Sequence, residues 1–177
     1  MKKIFFIITL LAFSAMFSFG QETETKKEIR KVPSVEVKTL DGATFNTANL
    51  SNDGKPMIIS FWATWCKPCI KELNTMSELY EEWQKETGVK IIAISIDDAR
   101  RMSSVAPLVN SNGWDFTVLL DPNSDFKRAM GVNIPPQTFV VDGKGNIVWT
   151  HTGFTEGGEL ELIEIIRKIN KNEPITQ

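Results

Sequence analysis

The sequence contains two cysteines, Cys66 and Cys69, and one histidine, His151, in 177 residues. A structural zinc site takes four nitrogen or sulfur ligands, so these three would leave it incomplete even if gathered at one point. His151 is therefore read as structural or exposed, and no metal or other cofactor is expected. A disulfide-stapled scaffold has no support either, because a CxxC pair closes too small a loop to restrict the unfolded chain much. Charge of neither sign is gathered into a long block. Twenty basic residues against 22 acidic ones give a formal charge of -2, and nothing in that balance points to a nucleic-acid partner. Internal repeats and low-complexity stretches are absent as well.

What is present suffices for one domain. With 177 residues and 42% apolar composition, the chain can build one ordinary core but not comfortably two. Met1-Lys2-Lys3 followed by the uncharged apolar run Ile4 to Phe19 has the two parts of a secretory signal, and Ser18-Phe19-Gly20 supplies small residues before a cleavage point. The mature chain would then start at Gln21. The alternative is an uncleaved N-terminal anchor, for which the run is slightly short of the roughly 20 residues that span a bilayer. No cysteine follows the run, which disfavours a lipid-modified start. Either way a periplasmic or otherwise exported location is expected, and there a lone cysteine pair tends to oxidise unless something keeps it reduced.

The order of elements predicts an α/β fold. Residues 1–20 are assigned to the signal or anchor, 21–32 to a flexible charged linker, and 33–172 to the folded domain. Val35 to Leu40 alternates and Asp41-Gly42 is a turn signal, so an N-terminal hairpin is expected with Thr44-Phe45-Asn46. Met57 to Trp62 reads as a buried strand. Leu73, Met76, Leu79, Tyr80 and Trp83 then fall at helical spacing, and Gly88 stops that helix. Val89 to Ile96 is a second buried strand. A helix is expected from Asp97-Asp98 towards Asn112-Gly113, kinked or broken at Pro107. Phe116 to Leu120 is the next strand, followed by a short helix around Phe126 to Met130. Thr138 to Val141 and Ile147 to Thr150 form a closing hairpin. Thr155 to Asn170 is a last helix with Leu160, Ile163, Ile166 and Ile169 on its apolar side. Strands alternating with helices imply a mixed, largely parallel sheet with an antiparallel edge.

Cys66 and Cys69 sit where the first buried strand hands over to the long helix. Thiols three positions apart at a helix start are neighbours, and the unpaired N–H groups and dipole there favour an anionic sulfur. Cys66 lies nearest the helix N-terminus, and Cys69 lies one turn inside. Pro68 fits the first turn, where its missing N–H is harmless, and the charge of Lys67 further favours a thiolate. Such a pair can cycle between dithiol and disulfide.

Trp65-Cys66-Lys67-Pro68-Cys69 after a buried strand, with Ile134-Pro135-Pro136-Gln137-Thr138 leading into a late strand, resembles the thioredoxin fold. The Phe61-Trp62-Ala63-Thr64 lead-in, the Ile70-Lys71-Glu72 continuation and the Gly145-Asn146-Ile147-Val148 ending are similar to the extracytoplasmic ResA/TlpA-like thiol-disulfide oxidoreductases. The resemblance implies a thioredoxin-like three-layer fold, with Cys66 as the exposed attacking nucleophile and Cys69 as the resolving thiol. It implies that Pro136 follows a cis bond and faces the cysteines, with Trp65, Lys67, Pro68 and Pro135 on the surface that meets the substrate. Pro135 has no N–H to offer an extended substrate, but its carbonyl can accept. Trp62 is assigned to the core.

The buried acid of thioredoxin falls here at Ser60, which cannot accept a proton at neutral pH. The resemblance instead makes Glu72 the proton acceptor for Cys69, one helical turn away. The competing reading of Glu72 is a solvated first-turn acid that complements the helix dipole. The implied partners are protein thiol or disulfide clients, in some members apocytochrome c, and a membrane thiol-disulfide electron donor. A monomer is expected. Two other functions use similar folds: a thiol peroxidase, whose threonine and arginine motif Thr64 does not reproduce, and a soft-metal chaperone holding Cu(I) between the thiols.

Overall fold

In a computed structural model, the fold is described for residues 29–175. The expected signal or anchor, and linker residues 21–28, lie outside them. Among the described residues no helix is long and apolar enough to cross a membrane.

Seven strands form one sheet: β1 (Glu36–Thr39), β2 (Thr44–Asn46), β3 (Met57–Trp62), β4 (Lys90–Ser95), β5 (Thr117–Leu120), β6 (Gln137–Val141) and β7 (Ile147–Thr152), in the order β2-β1-β5-β4-β3-β6-β7. The sheet is mixed, as expected, but parallel pairing is confined to β3 with β4 and β4 with β5. The other interfaces are antiparallel, so the parallel share is smaller than the alternation of elements implied. The reason is that the N-terminal hairpin docks on β5 and the closing hairpin on β3, and each brings its own reversal.

The helices are α1 (Lys67–Thr87), α2 (Val105–Asn112), α3 (Asp125–Ala129) and α4 (Gly158–Asn170). One sheet face carries Ile58, Trp62, Ile91, Ala93 and Val140 against Leu73, Met76, Tyr80 and Trp83 of α1, Val105 and Val109 of α2, and Ile163 and Ile166 of α4. The other carries Ile59, Phe61, Ile92, Ile94 and Phe139 against Phe126 and Met130 at α3. This alternation along β3 is the period-2 side-chain rule at work, and it gives the three layers. Phe126 is fully buried, with its ring centroid 5.3 Å from that of Phe61. Phe126→Ala is expected to cost about 3–5 kcal/mol, read as a lower urea midpoint at unchanged slope.

Two helices start later than their sequence pattern predicts. The helix after β4 does not begin at Asp97. A 3-10 turn (Met102–Ser104) precedes α2, which places Pro107 in the first turn, where it breaks nothing. The last helix starts at Gly158, after Gly157 in the left-handed region at φ 85°. Leu160 is 65% exposed, and the buried stripe is Leu162, Ile163, Ile165 and Ile166. The start shifts because Gly157 breaks the helix, and the apolar face follows the 162/163/165/166 spacing.

The expected flexible linker also ends early. The Arg30 carbonyl accepts from Ile147 N–H (2.7 Å), the Val32 N–H donates to the Gly145 carbonyl (3.2 Å), and Lys31 bridges Asn146. Residues 30–32 thus pair with the start of β7. The Gly143 backbone lies so close that a Cβ there would meet the Gly54 carbonyl oxygen at 1.8 Å, so no other residue fits.

Candidate active site

The buried strand β3 ends at Trp62, and the chain turns through Ala63, Thr64 and Trp65 before α1 begins. The turn is closed by Cys66 N–H donating to the Ala63 carbonyl at 3.0 Å. Cys66 is the N-cap of α1: its Sγ accepts from the Cys69 N–H at 3.3 Å, and Pro68 stands in the first turn. A sulfur here faces the free N–H groups of the helix, which is where a thiolate is best stabilised.

Cys66 and Cys69 are joined as a disulfide with Cα atoms 5.3 Å apart. Cys66 is 6% exposed and Cys69 is fully buried. The expectation of an exposed Cys66 is therefore corrected in degree: the residue is almost covered, but of the two cysteines it alone keeps any surface open to solvent. Trp65 is 51% exposed, and Lys67 and Pro68 are exposed beside it. Trp62 is in the core.

The opposite wall comes from the start of β6. β6 runs antiparallel to β3, with Gln137 opposite Phe61, so its first residues stand at the end of the sheet that carries the cysteines. The Pro135–Pro136 bond is cis. Pro136 is buried and its carbonyl accepts from Gly153 N–H at 2.8 Å. Pro135 is half-buried, and Ile134 before it is 65% exposed. The structure thus brings together Trp65, the cysteines and the Ile134-Pro135-Pro136 segment at one pole. Ile134 was not singled out in the sequence, although an apolar residue before two prolines in a loop is a visible signal.

Glu72 is not a solvated first-turn acid. Its carboxylate turns inward, accepting from the Ser60 hydroxyl at 3.1 Å and the Thr138 hydroxyl at 3.1 Å. Ser60 on β3 and Thr138 on β6 are opposed in register, and their hydroxyls are 3.2 Å apart. They are the polar interruption of an otherwise apolar sheet face, directly beneath α1. Burial pushes the Glu72 carboxyl up to about 7, and the hydrogen bonds from Thr138 and Ser60 pull the other way without cancelling it. Ser60 therefore carries no acid itself but holds one supplied by the helix. Thr138 was missed as a site residue because cross-strand register is not written in a single strand.

His151 also lies nearer than its sequence position suggests. It is opposed to Thr138 across β6 and β7 and stacks on Trp149 at 5.7 Å and 8°. It lines a cleft with Glu72, Met76, Thr138, Trp149 and Phe154. Among the described residues no three His, Cys, Asp or Glu side chains are grouped to hold a metal ion.

Thr64 is committed elsewhere. Its hydroxyl donates to Asp97 at 2.7 Å, so it is not free to polarise a peroxide. In chemical terms the pole offers a reducible disulfide with one sulfur reachable, a helix N-terminus to hold a thiolate, and a carboxyl that titrates near neutrality one turn away.

The AhpC/TSA family matches residues 29–150. The thiol-disulfide oxidoreductase ResA of Bacillus anthracis is 34% identical over 157 residues, covering 84% of this chain and 88% of that one. The ResA of Bacillus cereus (strain ATCC 10987 / NRS 248) is 33% identical over 178 residues, covering 96% and 99%. Among solved structures, a thioredoxin-like protein from Porphyromonas gingivalis is 53% identical with a TM-score of 0.72, covering 81% of this chain and 94% of that one. StoA from Bacillus subtilis shares the fold at 22% identity and a TM-score of 0.60, covering 75% and 97%.

Proposed function

The chain belongs to the AhpC/TSA family and, within the thioredoxin fold, to the ResA-type thiol-disulfide oxidoreductases, and from that membership we propose that it reduces protein disulfides outside the cytoplasm. The observation that carries the reading is the Cys66–Cys69 disulfide at the cap of α1, with Cys66 the one cysteine of the pair that keeps any surface open to solvent. In the dithiol form the Cys66 thiolate attacks one sulfur of a client disulfide. A mixed disulfide forms and the first client thiolate leaves. Cys69 gives its proton to Glu72 and attacks the Cys66 sulfur, which releases the second client thiolate and closes the Cys66–Cys69 bond. Two electrons pass to the client, and a thiol donor must return them.

Trp65, Lys67, Pro68, Ile134, Pro135 and Pro136 form the docking surface, and the Pro135 carbonyl accepts from a client backbone. Clients are proteins with an accessible cysteine pair, such as an apocytochrome c, and the donor is a membrane thiol-disulfide transporter. The export reading rests on Met1-Lys2-Lys3 and the apolar run that follows. The protein works as a monomer without a bound cofactor.

Equilibration of the protein with glutathione at fixed pH tests the direction. The midpoint is expected nearer the roughly −270 mV of thioredoxin than the roughly −120 mV of strong periplasmic oxidants. A value at the oxidising end would reverse the assignment.

A further inference from the structure

We propose that Asp97 is a positioning residue for the exchange, clamping the turn that carries Cys66 and holding the pair towards its disulfide form. Asp97 lies two residues beyond the end of β4 and is 1% exposed. One carboxylate oxygen accepts from the Thr64 backbone N–H at 2.8 Å and from the Ser95 hydroxyl at 2.9 Å. The other accepts from the Thr64 hydroxyl at 2.7 Å. Its own N–H donates to the Ser95 hydroxyl at 3.2 Å. No described ion pair involves it. A buried charge held by three donors and no cation is retained only where its geometry is fully satisfied, and here two of the three donors belong to one residue of the active-site turn.

Thr64 lies two residues before Cys66, and the turn between them is otherwise closed by the single Ala63–Cys66 hydrogen bond. Asp97 also explains why no helix begins directly after β4: its carboxylate is turned back on the turn that follows β3 instead of capping forward. Two consequences for Cys66 run in the same direction. When the disulfide opens, the clamp keeps the Cys66 backbone within reach of Cys69, which raises the effective concentration of one thiol at the other. A carboxylate anchored on Thr64, two residues before Cys66, with no described ion pair to offset it, also disfavours a second negative charge on the Cys66 sulfur. Both favour the disulfide over the dithiol.

The inference rests on the Cys66–Cys69 exchange proposed above. The test is equilibration of the full protein with reduced and oxidised glutathione, in which two glutathione thiols reduce one protein disulfide and leave one glutathione disulfide. Asp97→Asn keeps the shape and removes the charge, and Asp97→Ala removes both charge and clamp. The equilibrium constant for reduction is expected to rise roughly threefold in Asp97→Asn and roughly tenfold in Asp97→Ala, the latter being ~30 mV for a two-electron couple.

Asp121→Asn is the control. Asp121 is equally buried, but its carboxylate accepts from the backbone N–H groups of Asp125, Phe126 and Lys127 at 2.9, 3.2 and 2.8 Å. Its loss should lower the melting temperature and leave the constant unchanged. Asp97 variants that lose stability but stay within ~1.5-fold of the parent constant overturn the proposal, as does a control that shifts equally. A parent protein that does not equilibrate with glutathione at all overturns the exchange reading itself, and this one with it.

Discussion

Cys66→Ser is expected to abolish disulfide reduction, while Cys69→Ser is expected to accumulate a one-to-one mixed disulfide with its client. The two substitutions remove the same atom, so the difference must come from position. Cys66 caps α1 and is the only one of the pair with a path to solvent. A client disulfide can reach its sulfur and cannot reach that of Cys69, which is fully covered. Without Cys66 no other thiol exists in the chain to begin the exchange at that opening, and the rate falls by roughly 10³-fold or more. Without Cys69 the attack still occurs, but nothing internal can displace the client. Turnover of insulin disulfides measures the first effect. Non-reducing electrophoresis followed by mass measurement detects the second. The opposite pattern, with a trapped species in Cys66→Ser, would reverse the assigned order.

The cysteine pair was legible because its signals are local: a buried, largely apolar strand, a proline at a helix start and two thiols one turn apart all sit within the 13 residues from Met57 to Cys69. The cis bond at Pro136 was reached through resemblance, since an X-Pro bond does not announce its isomer. What escaped was non-local. Asp97 read as a helix start because an acid after a strand usually is one, and only the return of its carboxylate to Thr64 shows otherwise. The sheet read as more parallel than it is for the same reason: alternation gives the crossovers and does not say on which edge a hairpin docks. Glu72 shows both sides. Its spacing from Cys69 was visible, but the burial that raises its carboxyl was not, and Ser60 and Thr138, whose hydroxyls oppose that shift, meet it from two different strands.

That environment makes Glu72 the source of a pH-dependent stability with an unusual sign for a carboxylate. Its folded value of about 7 lies above the ordinary 4.5, so the native state holds a proton that the unfolded chain has already released. Between those values unfolding loses protons, and stability falls as pH rises. Below about 4.5 the penalty is absent, and above about 7 it is fully present. At ~1.4 kcal/mol per pH unit, the charged form costs at most ~3.5 kcal/mol, and less to the extent that water reaches the half-buried group. Glu72→Gln keeps the shape and cannot ionise, and the two hydroxyls can rotate to serve an amide. The oxidised variant should therefore match the parent near pH 4.5 and exceed it at pH 8 by about 2–3 kcal/mol in urea unfolding. The same substitution should slow client release by about 10²-fold, because Cys69 then has no adjacent group to take its proton. A variant that is more stable at pH 8 and also slower links one carboxyl to both effects. Parallel stability curves for the two proteins would show instead that Glu72 is already ionised at low pH, and would remove it as the proton acceptor.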